Sequence, residues 1–178
     1  ESKLVTSGES IAGSDGTFEV SFDAPAGGYE VYSVVLKANG SRFETLENVV
    51  FGELWLASGQ SNMQYPLAQS RTGAEMFNNA EKLSKWLRVL LVPPYPEYKN
   101  SQNLVPADAQ NDISDAVWVT GEDPAIYSMS AVAYFFAQEL MKKLDMPIGI
   151  LNSSLGGSSV RSWLSREAID NTPEVKSY

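Results

Sequence analysis

The chain has 178 residues, of which 43% are hydrophobic and 20% are charged, a balance typical of a globular protein. Its formal net charge of −9 argues against nucleic acid or an anionic membrane surface as a partner. The sequence contains neither cysteine nor histidine, which excludes disulfides, thiolate nucleophiles and imidazole bases or ligands within these residues.

The first residues, Glu1 to Leu4, show no signal-peptide pattern and look like a cut made inside a longer protein. No apolar run approaches the roughly 20 residues that a membrane-spanning helix needs. We therefore expect a fragment of a larger protein and no membrane partner.

Residues 1–50 predict β structure. Residues 17–22 alternate apolar and polar side chains with a period of two, and residues 29–37 and 42–50 are two further candidate strands. Asn39-Gly40, between the last two, is a strong hairpin signal. Three strands are too few to close a sandwich. We therefore interpret residues 1–50 as the C-terminal strands of a β-sandwich whose earlier strands are absent.

From residue 51 the pattern changes to alternating strands and helices. The order strand, helix, strand, helix, strand, helix predicts an α/β plan with a parallel sheet over residues 51–178. Ser130 and Ser165 stand where helix N-caps belong. The candidate strands are residues 54–57, 87–92 and 148–151, and the candidate helices are residues 74–87, 130–144 and 166–171.

Residues 95–116 are polar and contain prolines, so they predict a long surface loop. Asp108, Asp112 and Asp115 lie in this loop, but Ile113 stands where a calcium-binding loop needs glycine. We interpret the loop as a solvated acidic segment and expect no metal site. Because the chain has no glycine-rich phosphate-binding motif, we also expect no cofactor.

The first α/β strand ends in a polar turn, which presents Gln60, Ser61 and Asn62. Ligands of open α/β sheets bind beyond the C-terminal ends of the strands, so a serine at this place is a candidate nucleophile. The turn is not the Gly-x-Ser-x-Gly elbow of the α/β-hydrolases, because Met63 occupies its last position.

Residues 59–63 (Gly-Gln-Ser-Asn-Met), after a Leu-Trp-Leu strand, resemble the first conserved block of sialate O-acetylesterases and the related family 6 acetyl xylan esterases, which are SGNH-type hydrolases. Residues 147–163 resemble the family's strand, Gly-Gly turn and Trp-ending segment, and residues 130–136 are a looser match. The resemblance covers residues 46–168, in the family's order. It implies an SGNH (flavodoxin-like) three-layer α/β/α domain after a jelly-roll sandwich, here as an incomplete N-terminal half.

The resemblance also implies roles for three residues. Ser61 corresponds to the nucleophile, and the N–H of Ser61 forms the oxyanion hole with that of Gly156 or Gly157, of which we favour Gly157. The family's Asp-x-x-His block, its base, is missing from this chain. The alternatives are purely structural: the serine caps a helix, and the glycines form a turn. Asn152 precedes the Gly-Gly turn and is not assigned as a third donor.

Four further side chains each have two interpretations. Gln60 and Asn62 either hold the turn, which we favour, or point an amide toward substrate. Trp118 and Trp163 either pack in the core, which we favour, or stack on a sugar ring. Arg161 differs from sialate-type members, where an acidic residue is common, and this leaves the sugar undetermined.

We therefore expect the N-terminal part of a secreted or periplasmic carbohydrate O-acetylesterase that hydrolyses acetyl esters on sugars of the sialic acid or xylan type. Its partners are the acetylated carbohydrate and the remaining C-terminal part of the protein, in the same chain or as a cleaved subunit. That part supplies the His and Asp, so these residues alone are inactive. The alternative, which the missing histidine supports, is a non-catalytic carbohydrate-binding or scaffold module with a degenerate esterase fold. A third is a structural surface protein.

Overall fold

The computed structural model describes residues 3–79, 84–93 and 115–176. The strands of this part are β1 (Tyr32–Ala38), β2 (Ser41–Val49), β3 (Glu53–Gly59), β4 (Leu87–Leu91), β5 (Val117–Thr120) and β6 (Ile148–Ser154). Its helices are α1 (Ser61–Gln64), α2 (Gly73–Asn79), α3 (Ala131–Leu144), α4 (Arg166–Asp170) and α5 (Pro173–Lys176). Short 3₁₀ helices lie at Leu67–Gln69, Ser84–Trp86, Pro124–Ser128 and Val160–Trp163.

The N-terminal part contains one hairpin. β1 and β2 pair antiparallel around Asn39 and Gly40, whose φ angles of 49° and 78° confirm the predicted tight turn. The strand predicted at residues 17–22 is wrong, because the described segment 3–31 contains no strand. A strand needs a partner for its backbone hydrogen bonds, and the alternation of side chains does not supply one. The domain boundary at residue 50 stays a prediction.

The central sheet has the strand order β3-β6-β4-β5. β6 lies between β3 and β4 and runs parallel to both, which confirms the α/β plan. The expectation of a parallel sheet is corrected at one edge, where β5 pairs antiparallel with β4 and makes the sheet mixed. Most of the predicted loop between these two strands, including Asp108 and Asp112, lies outside the described residues.

Helix α3 covers one face of this sheet. Its N-terminus is capped by the buried Ser130, whose hydroxyl accepts a hydrogen bond from Ala133 N at 3.2 Å, as the sequence predicts. It ends where Asp145 adopts a left-handed conformation (φ 53°). The core between helix and sheet is fully buried, and its largest members on the two layers are Tyr134, Met141, Leu87, Val89, Ile148 and Ile150.

The opposite face of the sheet is open among the described residues. Strand register places four large apolar side chains side by side across it: Leu56 of β3, Leu151 of β6, Leu90 of β4 and Trp118 of β5. At the two edges Leu56 is 66% exposed and Trp118 is 56% exposed. We call these four residues the apolar row. The described part therefore has two layers, helix on sheet, rather than the expected three.

The remaining helical predictions are met in part. The predicted helix 74–87 is shorter in the structure, since α2 ends at Asn79, residues 80–83 lie outside the described part, and Leu87 opens β4. α4 begins after Ser165, whose hydroxyl accepts a hydrogen bond from Ala168 N at 3.1 Å, as predicted. In the part of the chain that the structure describes, every helix is too short or too polar to cross a membrane.

Candidate active site

The site begins where β3 stops. Gly59 ends the strand with a φ of 146°, in a region open to glycine, and a Cβ there would lie 2.9 Å from Met63 Cγ. The chain then turns into α1, whose first residue is Ser61. The Ser61 side chain is exposed at the C-terminal edge of the sheet, as expected for a group that must reach a ligand.

Gln60 holds both polar groups of the serine. Its side-chain Oε1 accepts hydrogen bonds from Ser61 N at 2.8 Å and from Ser61 Oγ at 2.6 Å. An N–H donor requires an acceptor, and this fixes the amide oxygen as the atom that faces Ser61. Gln60 therefore acts as the N-cap of α1. Asn62 is exposed and makes no side-chain hydrogen bond to another described residue.

The glycine turn lies beside the serine because β3 and β6 are neighbours. Their ladder pairs Gly59 with Ser154, and Leu155 N then donates to Gly59 O at 2.9 Å. The next residue is Gly156, where a Cβ would lie 3.7 Å from Ser61 Oγ. Residues almost a hundred positions apart in sequence thus meet at one edge of the sheet.

The two glycines differ in what their environment requires. A Cβ at Gly156 would lie 2.6 Å from Gln64 Oε1, and Gly156 N donates to that oxygen at 2.7 Å. Gly157 has a φ of 79° and open space around it, so its backbone conformation, not crowding, requires glycine. The Gly157 N–H has no hydrogen-bond partner among the described residues.

A second polar pair lies deeper in the same edge. Asn152 of β6 accepts a hydrogen bond from Ser130 N through Oδ1 at 3.1 Å, and its carbonyl oxygen accepts one from Val92 N at 3.2 Å. Asn152 therefore ties the start of α3 and the end of β4 to the central strand. The sequence analysis assigned Asn152 no role. The signal that could have identified one is a polar asparagine within an otherwise apolar strand.

A cleft of ≈ 710 Å³ opens at this edge of the sheet, and Ser61, Gln64, Asn152 and Gly156 are among its lining residues. The rest of its lining is largely apolar, and Asp115 is the charged side chain among the described lining residues: Tyr65, Pro66, Leu91, Val92, Pro93, Asp115, Val117, Ser128 and Ser154. A mostly apolar cleft with a few polar groups at one end suits a small acyl group on a polar carrier.

The two tryptophans are not core residues. Trp118 belongs to the open apolar row, and Trp163 is 40% exposed and donates from Nε1 to Ser158 Oγ at 2.9 Å. Ser158 N also donates to Leu155 O at 3.2 Å, which closes the Gly-Gly turn. Trp163 thus supports the turn through Ser158, and the core packing that we favoured for both rings is not found within the described part.

The hydroxyl of Ser61 and the backbone N–H of Gly157 stand after neighbouring strand ends, and the latter has no partner among the described residues. The acceptor of the hydroxyl proton is an amide oxygen, which is not a base at neutral pH, and the sequence has no histidine to take its place. The described residues also hold no cluster of His, Cys, Asp or Glu suited to a metal ion.

Known proteins similar to this chain are esterases. It is 30% identical over 170 residues to a sialate O-acetylesterase from Rattus norvegicus and 31% identical over 147 residues to one from Homo sapiens, matches that cover 90% and 82% of this chain. The chain spans 29% and 27% of those relatives. A solved carbohydrate acetylesterase from Xanthomonas citri superposes with a TM-score of 0.70 at 26% identity, over 94% of this chain and 37% of that one. No protein-family model matches.

Proposed function

Because this chain belongs to the sialate O-acetylesterase family, we propose that it is the part of a carbohydrate O-acetylesterase that carries the nucleophile and the oxyanion donors. The observation that supports this most directly is the contact between the two turns, where a Cβ at Gly156 would lie 3.7 Å from Ser61 Oγ. Gly157 follows in the chain, and its N–H has no hydrogen-bond partner among the described residues. The substrate class is an acetyl ester on a sugar hydroxyl.

The reaction is acyl transfer to water. Ser61 Oγ attacks the acetyl carbonyl carbon, and the carbonyl oxygen becomes an oxyanion that accepts hydrogen bonds from Ser61 N and Gly157 N. The sugar oxygen leaves with the proton that the base has taken from Ser61. Water then attacks the acetyl-serine, and acetate leaves as the serine regains its proton. In the structure the Ser61 N–H is bonded to Gln60 Oε1, so Gln60 must swing away when substrate binds.

The base comes from outside these 178 residues. By resemblance it is an Asp–His pair in a C-terminal part of the same protein, in the same chain or as a cleaved subunit. The absence of histidine and the small share of the relatives that the chain spans support this proposal. It predicts that residues 1–178 alone have essentially no esterase activity.

That same part also completes the domain. The apolar row crosses the whole width of the sheet on the face away from α3, and burying such a face is what makes α/β domains three-layered. We assign to the missing part a helical layer over this row, which gives the three-layer fold. The base and the covering layer then arrive together.

A second candidate function is a non-catalytic carbohydrate-binding or scaffold module. The observation that favours it is the complete lack of histidine, since a serine hydrolase without a base keeps only a small fraction of its activity. Under this alternative the cleft binds a sugar, and no part of the protein supplies an Asp–His pair.

Acetate release by the whole protein decides between the two. We expect hydrolysis of acetylated xylan or acetylated sialic acid, and a loss of about 10⁴-fold or more in kcat in Ser61→Ala. Ser33→Ala, which changes an exposed serine on the hairpin, is the control and keeps full activity. An inactive wild type that still binds the sugar supports the binding module. Full turnover of p-nitrophenyl acetate by residues 1–178 alone contradicts the proposed origin of the base.

A further inference from the structure

We propose that Gln64 is a positioning residue that fixes the Gly156–Gly157 turn against the nucleophile helix and so selects Gly157 as the oxyanion donor. This inference rests on the proposed esterase function. Gln64 is three residues after Ser61 on α1, and residues three apart lie on the same side of a helix. Its side chain therefore points toward the same turn as the nucleophile.

Gln64 supplies the next hydrogen bond beyond the end of the β3–β6 ladder. The last backbone bond that joins the two turns is Leu155 N to Gly59 O, and the next N–H in the chain, that of Gly156, has no strand partner. Gln64 Oε1 accepts it at 2.7 Å. Among the described residues this is the hydrogen bond that links the α1 segment to the glycine turn.

The other supports of the turn do not reach the nucleophile. Ser158 Oγ donates to Leu155 O at 2.6 Å and accepts from Trp163 Nε1 at 2.9 Å. These bonds hold the turn to its own C-terminal side. Without Gln64, the turn stays joined to β3 through Leu155 N and Gly59 O, but its glycines lose their direct hydrogen bond to the helix that carries Ser61. The position of the donor relative to the reacting oxygen sets its catalytic value.

The same bond distinguishes the two glycines. An N–H that is already bonded to an amide oxygen cannot also serve a developing oxyanion at full strength, so the Gly156 N–H is engaged. The Gly157 N–H has no partner among the described residues. Gly157 adopts a positive φ (79°), which turns its peptide group out of line with the strand. The hydrogen bond to Gln64 thus gives Gly156 a structural role and leaves the N–H of Gly157 to bind the oxyanion.

The test compares Gln64→Ala and Gln64→Glu in the whole protein with an acetyl ester substrate. Gln64→Ala removes the acceptor, and we expect kcat to fall about 10- to 100-fold with KM changed less than about threefold, since the acyl carrier still binds. Gln64→Glu keeps an acceptor for the Gly156 N–H and recovers at least half of that loss on a logarithmic scale. A merely structural role moves the melting temperature instead and does not separate kcat from KM.

A double-mutant cycle with Gly156→Ala sharpens the result. The added Cβ would lie 2.6 Å from Gln64 Oε1, so it displaces the Gln64 side chain and breaks the same bond. We expect kcat of the Gln64→Ala, Gly156→Ala double variant to equal that of Gln64→Ala alone, because the bond is already lost and the atom that the Cβ would crowd is gone. The remaining neighbour, Ser61 Oγ, lies at an ordinary contact distance of 3.7 Å from this Cβ. Multiplicative losses in the double variant overturn the inference.

These measurements separate a failure of the proposed function from a failure of the positioning role of Gln64. If the wild type hydrolyses no acetyl ester, or if Ser61→Ala keeps its activity, the proposed function is wrong. If the wild type is active through Ser61 but Gln64→Ala matches it in kcat, the esterase assignment stands and the positioning role is wrong.

Discussion

The open apolar row makes a quantitative prediction for Leu56→Ala. Full burial of a leucine side chain is worth about 1.5–3 kcal/mol. Leu56 is 66% exposed, so the contacts within the described residues account for about a third of that, roughly 0.5–1 kcal/mol. If a further layer covers the row in the whole protein, the substitution instead leaves a cavity and costs about 2–5 kcal/mol.

The measurement is the free energy of unfolding of the whole protein in urea, with two matched substitutions. Ile150→Ala, in the fully buried core under α3, costs about 2–5 kcal/mol with or without a covering layer. Val160→Ala, at a 79% exposed side chain, costs less than about 0.5 kcal/mol. We expect Leu56→Ala to behave like Ile150→Ala. A cost of 1 kcal/mol or less, beside a normal result for Ile150→Ala, refutes the covering layer.

Chemical labelling gives the same answer without a folding equilibrium. Residues 1–178 contain no cysteine, so Leu56→Cys places a single thiol in this part of the protein. We expect a maleimide to label it slowly in the native whole protein and at the rate of an unfolded peptide in urea. Val160→Cys serves as the exposed reference, since it reacts quickly in both conditions. Equal native rates for the two thiols contradict the covering layer.

Two further predictions concern the helix that supports the site. Ser130→Ala removes a buried N-cap and should lower the free energy of unfolding by about 1–2 kcal/mol, whereas Ser165→Ala, the same cap at an exposed five-residue helix, should cost less than about 0.5 kcal/mol in the same urea experiment. Burial and the nearby Tyr127 raise the pKa of Tyr134, whose hydroxyl has no partner among the described residues. The folded protein therefore keeps this proton to a higher pH than the unfolded chain does. As a result, the free energy of unfolding does not change with this titration below about pH 10, and it falls as the pH rises above that value. Tyr134→Phe should be as stable as the wild type or up to about 1 kcal/mol more stable at pH 7, with an advantage that grows between pH 9 and pH 11; an advantage that shrinks with pH contradicts the sign.

Local signals explain what the sequence predicted well. Asn39-Gly40 encodes its own turn, because the two residues tolerate positive φ angles that others avoid. Ser130 and Ser165 supply a hydroxyl to a helix N-terminus within three residues of themselves. The apolar run before Ser61 is long enough to be a strand and too short to be a helix. In the turn and the two caps the partner of the interaction is a neighbour in the chain.

Pairing over long distances explains the failures. Residues 17–22 have a strand's alternation but find no partner strand among the described residues. Residues 117–119 have the extended pattern of a short strand, but the sequence does not show that β5 pairs antiparallel with β4. The contact of Gln64 with the glycine turn was not predicted for the same reason. Its hydrogen-bond partner, Gly156, is 92 positions away, and nothing in the residues around Gln64 specifies it.

The parallel pair β3–β6 explains how the proposed nucleophile and oxyanion donors can meet in a chain that has no histidine. Parallel strands in register end at the same edge, so the turn after Gly59 and the turn after Ser154 must meet, and their backbone and side chains need nothing further to do so. A general base has no such constraint, since it only has to approach the serine from the open side of the cleft. Under the proposed function, the fold fixes the nucleophile and the donors at one edge of the sheet and leaves the proton acceptor to another segment of the protein. The Ser61 hydroxyl, which donates to the neutral Gln60 amide, is then activated only when that segment is in place.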